Sequence, residues 1–439
     1  MKISVVGLGK LGAPLAAVLA SKGHDVIGMD QNQTTVKLIN ERQSPIIEPG
    51  FQELLNKCGD NLKATSDINE AVQNTEVTFI IVPTPSKSDG MFSNEFVLDA
   101  VNSIGQALRI KSEYHVVNIT STVMPGSCEG EIAAALQKSS GRIVGREIGL
   151  CYNPEFIALG SVIKNMLYPD MILIGESDPY AGEILQSIYE SSCNNTPQVM
   201  RMNLVNAEIT KISVNTFVTT KITYANMLAD ICDRIPGADV TVVTKAIGLD
   251  SRIGNKYLSG GLSYGGPCFP RDNIAFSKLA KKLNANAALA ESTDLYNRYW
   301  NHAVSEKIKR IAGGKKNIAF IGLSYKYGTP VIEESPVINM MKIILEEEDN
   351  KIAVSVWDPD TYIYVRPIFG DKIKYHSNLN EAVESSDLIV VGVNSKNISE
   401  NIIRFCNNVD KIVEIFDCWN QFENMVDNPR FVVHRIGKM

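Results

Sequence analysis

Short apolar segments alternate with segments of helical periodicity over the first part of this chain. Lys2–Val6 and Asp25–Met29 are apolar runs, and residues 13–21 between them are apolar almost throughout, as in a buried helix. Further apolar runs follow at 77–82, 116–119 and 149–152. Such runs are typical of parallel strands that are covered by helices on both faces. The pattern therefore predicts a doubly wound α/β domain.

The middle of the chain has a different pattern. Near Pro197 the alternation stops, and the apolar positions of residues 206–233 lie three and four apart, which predicts one long helix. Alternation restarts at Asn317. The predicted elements there are strand Asn317–Ile321, helix 337–346, strand Ala353–Trp357, and strands at 387–393, 411–416 and 431–434.

These patterns together predict the fold class and the domain organisation. We expect an α/β protein in which two Rossmann-like doubly wound domains are joined by a helical central domain with one long helix. The expected boundaries are 1–197, 198–300 and 301–439.

A glycine-rich turn, Gly-Leu-Gly-Lys-Leu-Gly, follows the first strand. Glycines at this spacing allow a tight turn, close approach of the backbone to a pyrophosphate, and close packing of helix on strand. An acidic residue at the end of the second strand binds the ribose hydroxyls and repels a 2′-phosphate, which favours NAD over NADP. Strand, turn, helix, strand and acid all occur in order, so a turn without a ligand is the weaker interpretation. The predicted NAD-binding residues here are Gly7, Leu8, Gly9, Leu11, Gly12 and Asp30.

Three further loops follow predicted strands of the first domain, at 83–86, 120–126 and 153–156. Ligands of doubly wound sheets bind beyond the carboxyl ends of the strands. Proline, serine, threonine and asparagine are also ordinary turn residues, so only the position of these loops indicates function. We expect Thr84, Pro85, Ser121 and Thr122 to contribute to the cofactor site.

Composition excludes several classes of protein. The chain has 439 residues and a net charge of −6, without a long basic run, so nucleic acid is not an expected partner. Its eight cysteines are scattered without CxxC pairs, which indicates reduced thiols in a cytoplasmic protein and no zinc site. The sequence starts with a strand and has no apolar stretch of about 20 residues, so we expect neither a signal peptide nor insertion in a membrane.

The second Rossmann-like domain lacks the complete glycine motif, which predicts either a different nucleotide or a purely structural role.

The segment Gly265-Gly266-Pro267-Cys268-Phe269-Pro270-Arg271-Asp272 is the most informative one for chemistry. It places a cysteine on a glycine-flanked turn, four residues before a carboxylate. A thiol can capture an aldehyde, lose a hydride to a nicotinamide, and leave a thioester that water cleaves. A lone cysteine is more often simply buried, so the segment is weighed together with the NAD motif.

Lys211 and Asn215 lie four residues apart on the predicted long helix, and therefore on one face. A solvated lysine is the ordinary interpretation of such a residue. Beside a reacting carbonyl, however, a cation and an amide are the donors that an oxyanion needs.

These residues together resemble the nucleotide-sugar dehydrogenases, the family of UDP-glucose 6-dehydrogenase and GDP-mannose 6-dehydrogenase. The resemblance covers nearly the whole chain. It rests on the segments 7–9, 44–50, 121–123, 153–156, 206–215, 265–272 and 322–326. It implies an NAD-linked conversion of a sugar primary alcohol to a carboxylate in two steps, by a homodimer or a higher homo-oligomer built on the central helix.

The resemblance also implies roles for individual residues. Cys268 is similar to the family's nucleophile, Asp272 to the residue that orients or deprotonates water, and Glu155 to the acid/base group of thioester hydrolysis. Lys211 and Asn215 resemble the oxyanion-stabilising pair, and Thr122 a threonine near the nicotinamide. Arg252 resembles an arginine that reaches the partner subunit's substrate. The implied substrate-binding residues are Glu155, Phe156, Lys211, Asn215, Arg252, Tyr257, Leu258, Tyr264, Gly265, Gly266 and Lys326.

The sequence departs from the family pattern at three positions that concern the substrate. Glu333 replaces an expected arginine after Lys326, Leu159 replaces a glutamate, and Trp419 replaces a second arginine. The covalent chemistry keeps its residues, so the reaction class is predicted more firmly than the nucleotide. UDP-glucose is the favoured substrate, and GDP-mannose or another nucleotide hexose is the alternative.

Two other classes of function also remain open from the sequence. One is a two-electron dehydrogenase of the hydroxyacid class, which would not need Cys268. The other is a non-catalytic protein that binds a sugar nucleotide.

Overall fold

The computed structural model describes residues 1–314, 317–347, 352–408 and 412–438. The chain divides into two compact units, Met1–Ser213 and Val214–Met439, here called the N-terminal unit and the C-terminal unit.

The N-terminal unit is built on an eight-stranded sheet with the order β3-β2-β1-β4-β5-β6-β7-β8. Its first six strands are parallel and follow the Rossmann order, whereas β7 runs antiparallel to β6 and β8 runs parallel to β7. The strands are β1 Lys2–Val6, β2 Asp25–Met29, β3 Leu62–Thr65, β4 Val77–Ile80, β5 His115–Ile119, β6 Ile148–Tyr152, β7 Met171–Glu176 and β8 Gln198–Asn203.

Helices cover both faces of this sheet. Helix α1 has nine buried residues out of ten because it packs between the sheet and neighbouring helices, which explains its wholly apolar sequence. Asp178 caps α8 by accepting a hydrogen bond from the backbone N–H of Ala181. The helices are α1 Gly12–Ser21, α2 Gln33–Asn40, α3 Phe51–Lys57, α4 Ile68–Gln73, α5 Glu95–Leu108, α6 Ala133–Ser140, α7 Val162–Leu167 and α8 Pro179–Ser192, with a π-helix at Cys128–Ile132.

The predicted long helix is confirmed as α9, Leu204–Cys232, and it contributes to both units. The predicted end of the strand pattern near Pro197 is wrong, because β8 follows that proline. Half of the residues of β8 are exposed, so this edge strand lacks the apolar run by which the inner strands were found.

The C-terminal unit contains a parallel six-stranded sheet with the order β11-β10-β9-β12-β13-β14. This is again the Rossmann order, so the predicted fold class is confirmed. The strands are β9 Asn317–Ile321, β10 Ala353–Trp357, β11 Lys374–Tyr375, β12 Leu388–Val391, β13 Val413–Asp417 and β14 Phe431–Arg435. Residue 411, the predicted start of β13, lies outside the described residues.

Seven helices of the C-terminal unit follow α9 in the described chain. They are α10 Val240–Gly248, α11 Phe269–Lys282, α12 Ala288–Ala312, α13 Pro336–Glu347, α14 Tyr362–Phe369, α15 Leu379–Glu384 and α16 Lys396–Cys406. Within the ranges that the structure describes, none of the helices has the length and apolar character needed to cross a membrane.

Candidate active site

The glycine turn after β1 has the shape that its sequence predicts. Gly7 has φ of 93°, and a Cβ there would lie 2.2 Å from the carbonyl oxygen of Ile81. A Cβ on Gly12 would lie 1.8 Å from the carbonyl oxygen of Gly7. A Cβ on Gly9, by contrast, would meet no atom within 4 Å, so this side of the turn is open. The turn therefore packs tightly on the sheet and leaves the start of α1 accessible to a diphosphate.

Asp30 lies at the carboxyl end of β2, beside this turn. Its carboxylate accepts hydrogen bonds from the backbone N–H of Leu8, at 2.7 Å, and of Asn32, at 2.8 Å. Both bonds fix the carboxylate at the position where a dinucleotide fold binds the adenosine ribose. These residues fit NAD, which when bound supplies a hydride acceptor.

The loops after β4 and β5 are joined by Ser121. Its hydroxyl accepts from the backbone N–H of Val82 at 2.9 Å and donates to the carbonyl of Val82 at 2.7 Å. Thr84 is buried, Pro85 is exposed and Thr122 is half-buried. The predicted residues of these loops therefore lie at the same edge of the sheet as the glycine turn.

Glu155, Phe156 and Lys211 come together in the N-terminal unit. The Lys211 ammonium donates to the carbonyl oxygen of Glu155 at 2.7 Å and lies 4.7 Å from the centroid of the Phe156 ring. The lysine is buried, with 6% of its surface exposed. It is therefore held by the loop after β6 and is not the solvated lysine of the ordinary interpretation.

The carboxyl group of Glu155 is turned into the fold. Its Oε1 is buried without a hydrogen-bond partner, in a small cavity that is also lined by Leu15, Tyr189 and Ser192. Burial raises the pKa of Glu155 to about 7, against the opposing effects of the Lys211 charge and of the nearby Tyr189 hydroxyl. The carboxyl group therefore lies among residues of α1 and α8, and the catalytic role of Glu155 stays a prediction.

Cys268 is exposed, whereas the other seven cysteines of the described chain are buried or half-buried. It directly precedes α11, whose first turn includes Pro270, and its carbonyl accepts from the N–H of Asp272 at 2.8 Å. The sulfur therefore lies at a helix N-terminus, where the partial positive charge of the backbone favours negative charge. The alternative of a buried structural cysteine is wrong.

Asn215 and Asp272 form a buried pair in the C-terminal unit. The Asn215 amide donates to Oδ2 of Asp272 at 2.6 Å, and Arg271 donates to Oδ1 at 3.3 Å. Asp272 is 1% exposed. An ionised carboxylate is expensive to bury unless such donors surround it, so these contacts fix the carboxylate one helical turn from Cys268.

The chain before Cys268 packs on the loop that follows β9. The N–H of Gly266 donates to the carbonyl of Glu333 at 3.1 Å, and a Cβ on Gly266 would lie 2.6 Å from the Tyr325 ring. A Cβ on Gly265 would lie 2.1 Å from the carbonyl oxygen of Glu334. Only glycine allows this approach of two backbones.

The remaining predicted substrate residues lie in the same unit. Arg252 is exposed and pairs with Asp250 at 2.6 Å. Tyr257 is exposed and packs edge-on against Phe269, while Leu258 and Tyr264 are buried. Lys326 is half-buried in the loop after β9.

The structure also locates the three departures from the family pattern. Leu159 packs against the core of the N-terminal unit, and Glu333 is exposed. Trp419 donates from its ring nitrogen to the carbonyl of Gly392 at 3.0 Å, and its ring contacts Gly261. Gly392 directly follows β12, next to β9 at the point where the strand order reverses, which is where doubly wound sheets bind nucleotides.

Sequence reasoning missed the role of Glu208. Its buried carboxylate accepts from the backbone N–H groups of Gly126 at 2.6 Å and of Cys128 at 2.8 Å. Glu208 therefore attaches the loop after Thr122 to α9, one turn before Lys211. The available signal was the scarcity of carboxylates in α9, which contains only Glu208 and Asp230.

Comparison with known protein families agrees with this geometry. Three models of the UDP-glucose/GDP-mannose dehydrogenase family match the chain in order: the NAD binding domain at residues 1–193, the central domain at 205–299 and the UDP binding domain at 319–424.

Individual relatives match over most of their length. The chain is 33% identical over 395 residues to UDP-glucose 6-dehydrogenase AglM of Haloferax volcanii, with 89% of this chain and 90% of the relative covered. It is 32% identical over 407 residues to GDP-mannose 6-dehydrogenase of Pseudomonas savastanoi pv. phaseolicola, covering 89% and 91%. The structure of a UDP-glucose dehydrogenase from Pyrobaculum islandicum superimposes with a TM-score of 0.88 at 27% identity, covering 100% and 98%. The chain therefore belongs to the UDP-glucose/GDP-mannose dehydrogenase family of NAD-dependent nucleotide-sugar dehydrogenases.

Proposed function

We propose that this enzyme oxidises C6 of a UDP-hexose to the carboxylate by a four-electron reaction, through a thioester on Cys268. UDP-glucose is the first substrate to test, because the match to a UDP binding domain and the likeness to UDP-glucose dehydrogenases support it. GDP-mannose is the second candidate, since a relative of nearly equal similarity bears that name.

One observation carries the proposal. Cys268 is exposed at the N-terminus of α11, while Asp272, one turn later, is buried and bonded to Asn215. An accessible thiol beside a fixed carboxylate and amide is suited to forming and hydrolysing an acyl group. A two-electron dehydrogenase needs no such thiol.

The chemistry balances with two equivalents of NAD and one of water. Loss of the first hydride and of the hydroxyl proton converts the alcohol to an aldehyde, to which Cys268 Sγ adds. Loss of the second hydride from C6 gives the thioester. Water then attacks C6, the C–S bond breaks, and the thiol is regenerated with the carboxylate and three protons in total.

The other residues are proposed to control protons and charge. Lys211 and Asn215 would stabilise the oxyanion of the tetrahedral stages, an effect of about 3 kcal/mol per well-placed donor in other enzymes. An amide nitrogen has two N–H groups, so Asn215 can bond Asp272 and also donate to an oxyanion. Asp272 would orient or deprotonate water, and Thr122 would lie near the nicotinamide. Glu155 would serve as the acid/base group of hydrolysis once its carboxyl group turns out of the cavity that it occupies in this structure.

The remaining assignments concern binding. We propose that Tyr257, Leu258 and the loop 264–266 hold the sugar and that Lys326 contacts the diphosphate. Arg252 is proposed to reach the substrate of a partner subunit in a homodimer, which fits its exposed position. Light scattering of Arg252→Ala would show whether loss of activity occurs with the oligomer intact.

The deciding experiment counts NADH formed per sugar. Purified enzyme is incubated with excess NAD and a limiting amount of UDP-glucose, GDP-mannose or another nucleotide hexose. Two NADH per sugar, with the uronic acid as product, supports the proposal. One NADH per sugar would show a two-electron reaction and contradict it.

Two cysteine variants test the thioester. Cys268→Ala should form no acid while it still binds NAD, because only covalent capture is lost. The control is Cys232→Ala, at a buried cysteine of α9, which should keep two NADH per sugar. Full acid production by Cys268→Ala would refute the covalent route.

A further inference from the structure

The loop that leads to Cys268 is held by side chains of helices in place of strand partners. Residues 260–266 lie outside the strands of the C-terminal sheet. A buried loop must still satisfy its backbone polar groups. Four polar side chains of α9 and α12 bond this loop: Asn226, Asn297, Trp300 and Asn301.

Asn297 on α12 forms hydrogen bonds with both the N–H and the carbonyl group of one loop residue, Tyr264. Its Oδ1 accepts from the N–H of Tyr264 at 2.9 Å, and its Nδ2 donates to the carbonyl of Tyr264 at 3.0 Å. The side-chain amide thus supplies the pair of hydrogen bonds that a neighbouring strand would form with this residue. Only 8% of Asn297 is exposed, so water competes little for these bonds.

Asn226 on α9 also bonds the backbone of the loop through both ends of its amide, but at two successive residues, Gly261 and Leu262. Its Oδ1 accepts from the N–H of Gly261 at 3.0 Å, and its Nδ2 donates to the carbonyl of Leu262 at 3.1 Å. Trp300 donates to the carbonyl of Gly261 at 2.8 Å.

The other end of the loop is also fixed, since the N–H of Gly266 is bonded to the carbonyl of Glu333. Cys268 follows two residues later. The position of its sulfur therefore depends on a segment whose path is set by two buried amides from two helices. Asparagine is the smallest side chain that offers a donor and an acceptor on two separate atoms.

We propose that Asn297 and Asn226 are positioning residues that fix the path of the loop 260–266 and thereby the thiol of Cys268. This inference rests on the proposed role of Cys268 as nucleophile. A displacement of about 1 Å at a reacting group can lower a rate about a hundredfold. The amides thus determine whether the aldehyde is captured before it leaves.

The test compares Asn297→Ala with the wild-type enzyme by hydrogen–deuterium exchange. Exchange in peptides that cover 260–268 should rise about tenfold or more, because both bonds to Tyr264 are lost. Peptides from β9 and β12 should be unchanged. The matched control is Ser305→Ala, at a buried residue two turns further along α12 whose hydroxyl donates to the helix carbonyl of Asn301.

The second readout is release of aldehyde. With hydroxylamine as a trap, Asn297→Ala should yield trapped aldehyde and fewer than two NADH per sugar, with kcat about ten- to a hundredfold lower and NAD affinity unchanged. Asn226→Ala should behave alike. If Asn297→Ala does not fold, Asn297→Asp, which keeps the acceptor for the Tyr264 N–H, should show a smaller shift in the same direction.

Two results would overturn the proposal. One is exchange that rises equally throughout the C-terminal unit, which would indicate a general loss of stability. The other is trapped aldehyde at the wild-type level. If the wild-type enzyme forms no NADH from any sugar, the proposed function fails instead, and the exchange experiment still decides whether the amides hold the loop.

Discussion

The buried carboxyl group of Glu155 should make the stability of the fold depend on pH in a specific direction. Burial raises the pKa of Glu155 from 4.5 to about 7. Below pH 4.5 the group is protonated in both the folded and the unfolded chain. Between these two values the unfolded chain releases the proton while the folded chain retains it, so stability falls as the pH rises. Above about pH 7 the loss is complete.

The expected magnitude follows from the same two values. Each pH unit over which only one state is protonated changes the free energy of unfolding by about 1.4 kcal/mol. The interval from 4.5 to about 7 therefore corresponds to a loss of about 3 kcal/mol. Other titrating groups contribute to the same profile, so the test needs a variant that removes only this one.

Glu155→Gln supplies that comparison, because glutamine has the same shape and does not ionise. Urea unfolding of both proteins, followed by circular dichroism from pH 4.5 to 8, gives the difference between their free energies of unfolding. The wild-type protein should lose about 3 kcal/mol relative to the variant over this range. A difference that stays constant with pH would show that the carboxyl group is not buried as described. A difference that grows in favour of the wild type would reverse the sign of the argument.

Two further perturbations address the loops around the cofactor. Glu208→Ala leaves the N–H of the buried Cys128 without an acceptor and removes the acceptor of the exposed Gly126, so it should destabilise the protein by about 1 to 3 kcal/mol in urea unfolding. Glu208→Gln should destabilise it by about half as much, and equal effects of the two variants would contradict this. Asp30→Ala removes the carboxylate that is fixed by Leu8, so the Kd for NAD should rise about tenfold or more and discrimination against NADP should fall, as fluorescence titration with both cofactors measures. An unchanged preference for NAD would mean that Asp30 does not contact the ribose.

Central strands were predictable because they are apolar throughout. The inner strands β1, β2, β9 and β10 have the predicted bounds. Edge strands give a weaker signal. The outer β3 and β11 are short and partly exposed, which leaves no apolar run to recognise. β7 was also missed although it is apolar, and its antiparallel direction has no local signature in the sequence.

The residues of the candidate active site also fall into a group that the sequence predicts and a group that it does not. Residues in local motifs were predictable because their spacing encodes a backbone shape, as in the turn Gly7–Gly12 and the segment around Cys268. The contacts that hold those segments in place were not predictable. Asn297 follows Tyr264 by 33 positions and Asn226 precedes Leu262 by 36, so no local pattern connects them. The burial of Glu155 likewise depends on packing against Tyr189 of α8, which the motif around it does not encode.

Helix α9 nevertheless carries a signal that a sequence could reveal. Four of its buried polar residues each bond a segment of their own unit outside α9: Glu208 and Lys211 bond loops of the N-terminal unit, Asn226 bonds a loop of the C-terminal unit, and Asn215 bonds Asp272 in the first turn of α11. Because a helix turns about 100° per residue, these positions fall within about 60° of one another around its axis. Burying such a stripe is unfavourable unless every group finds a partner. A stripe of buried polar residues along one face of a long helix therefore indicates that other segments are attached there, and the residues on those segments are the ones to test for chemistry.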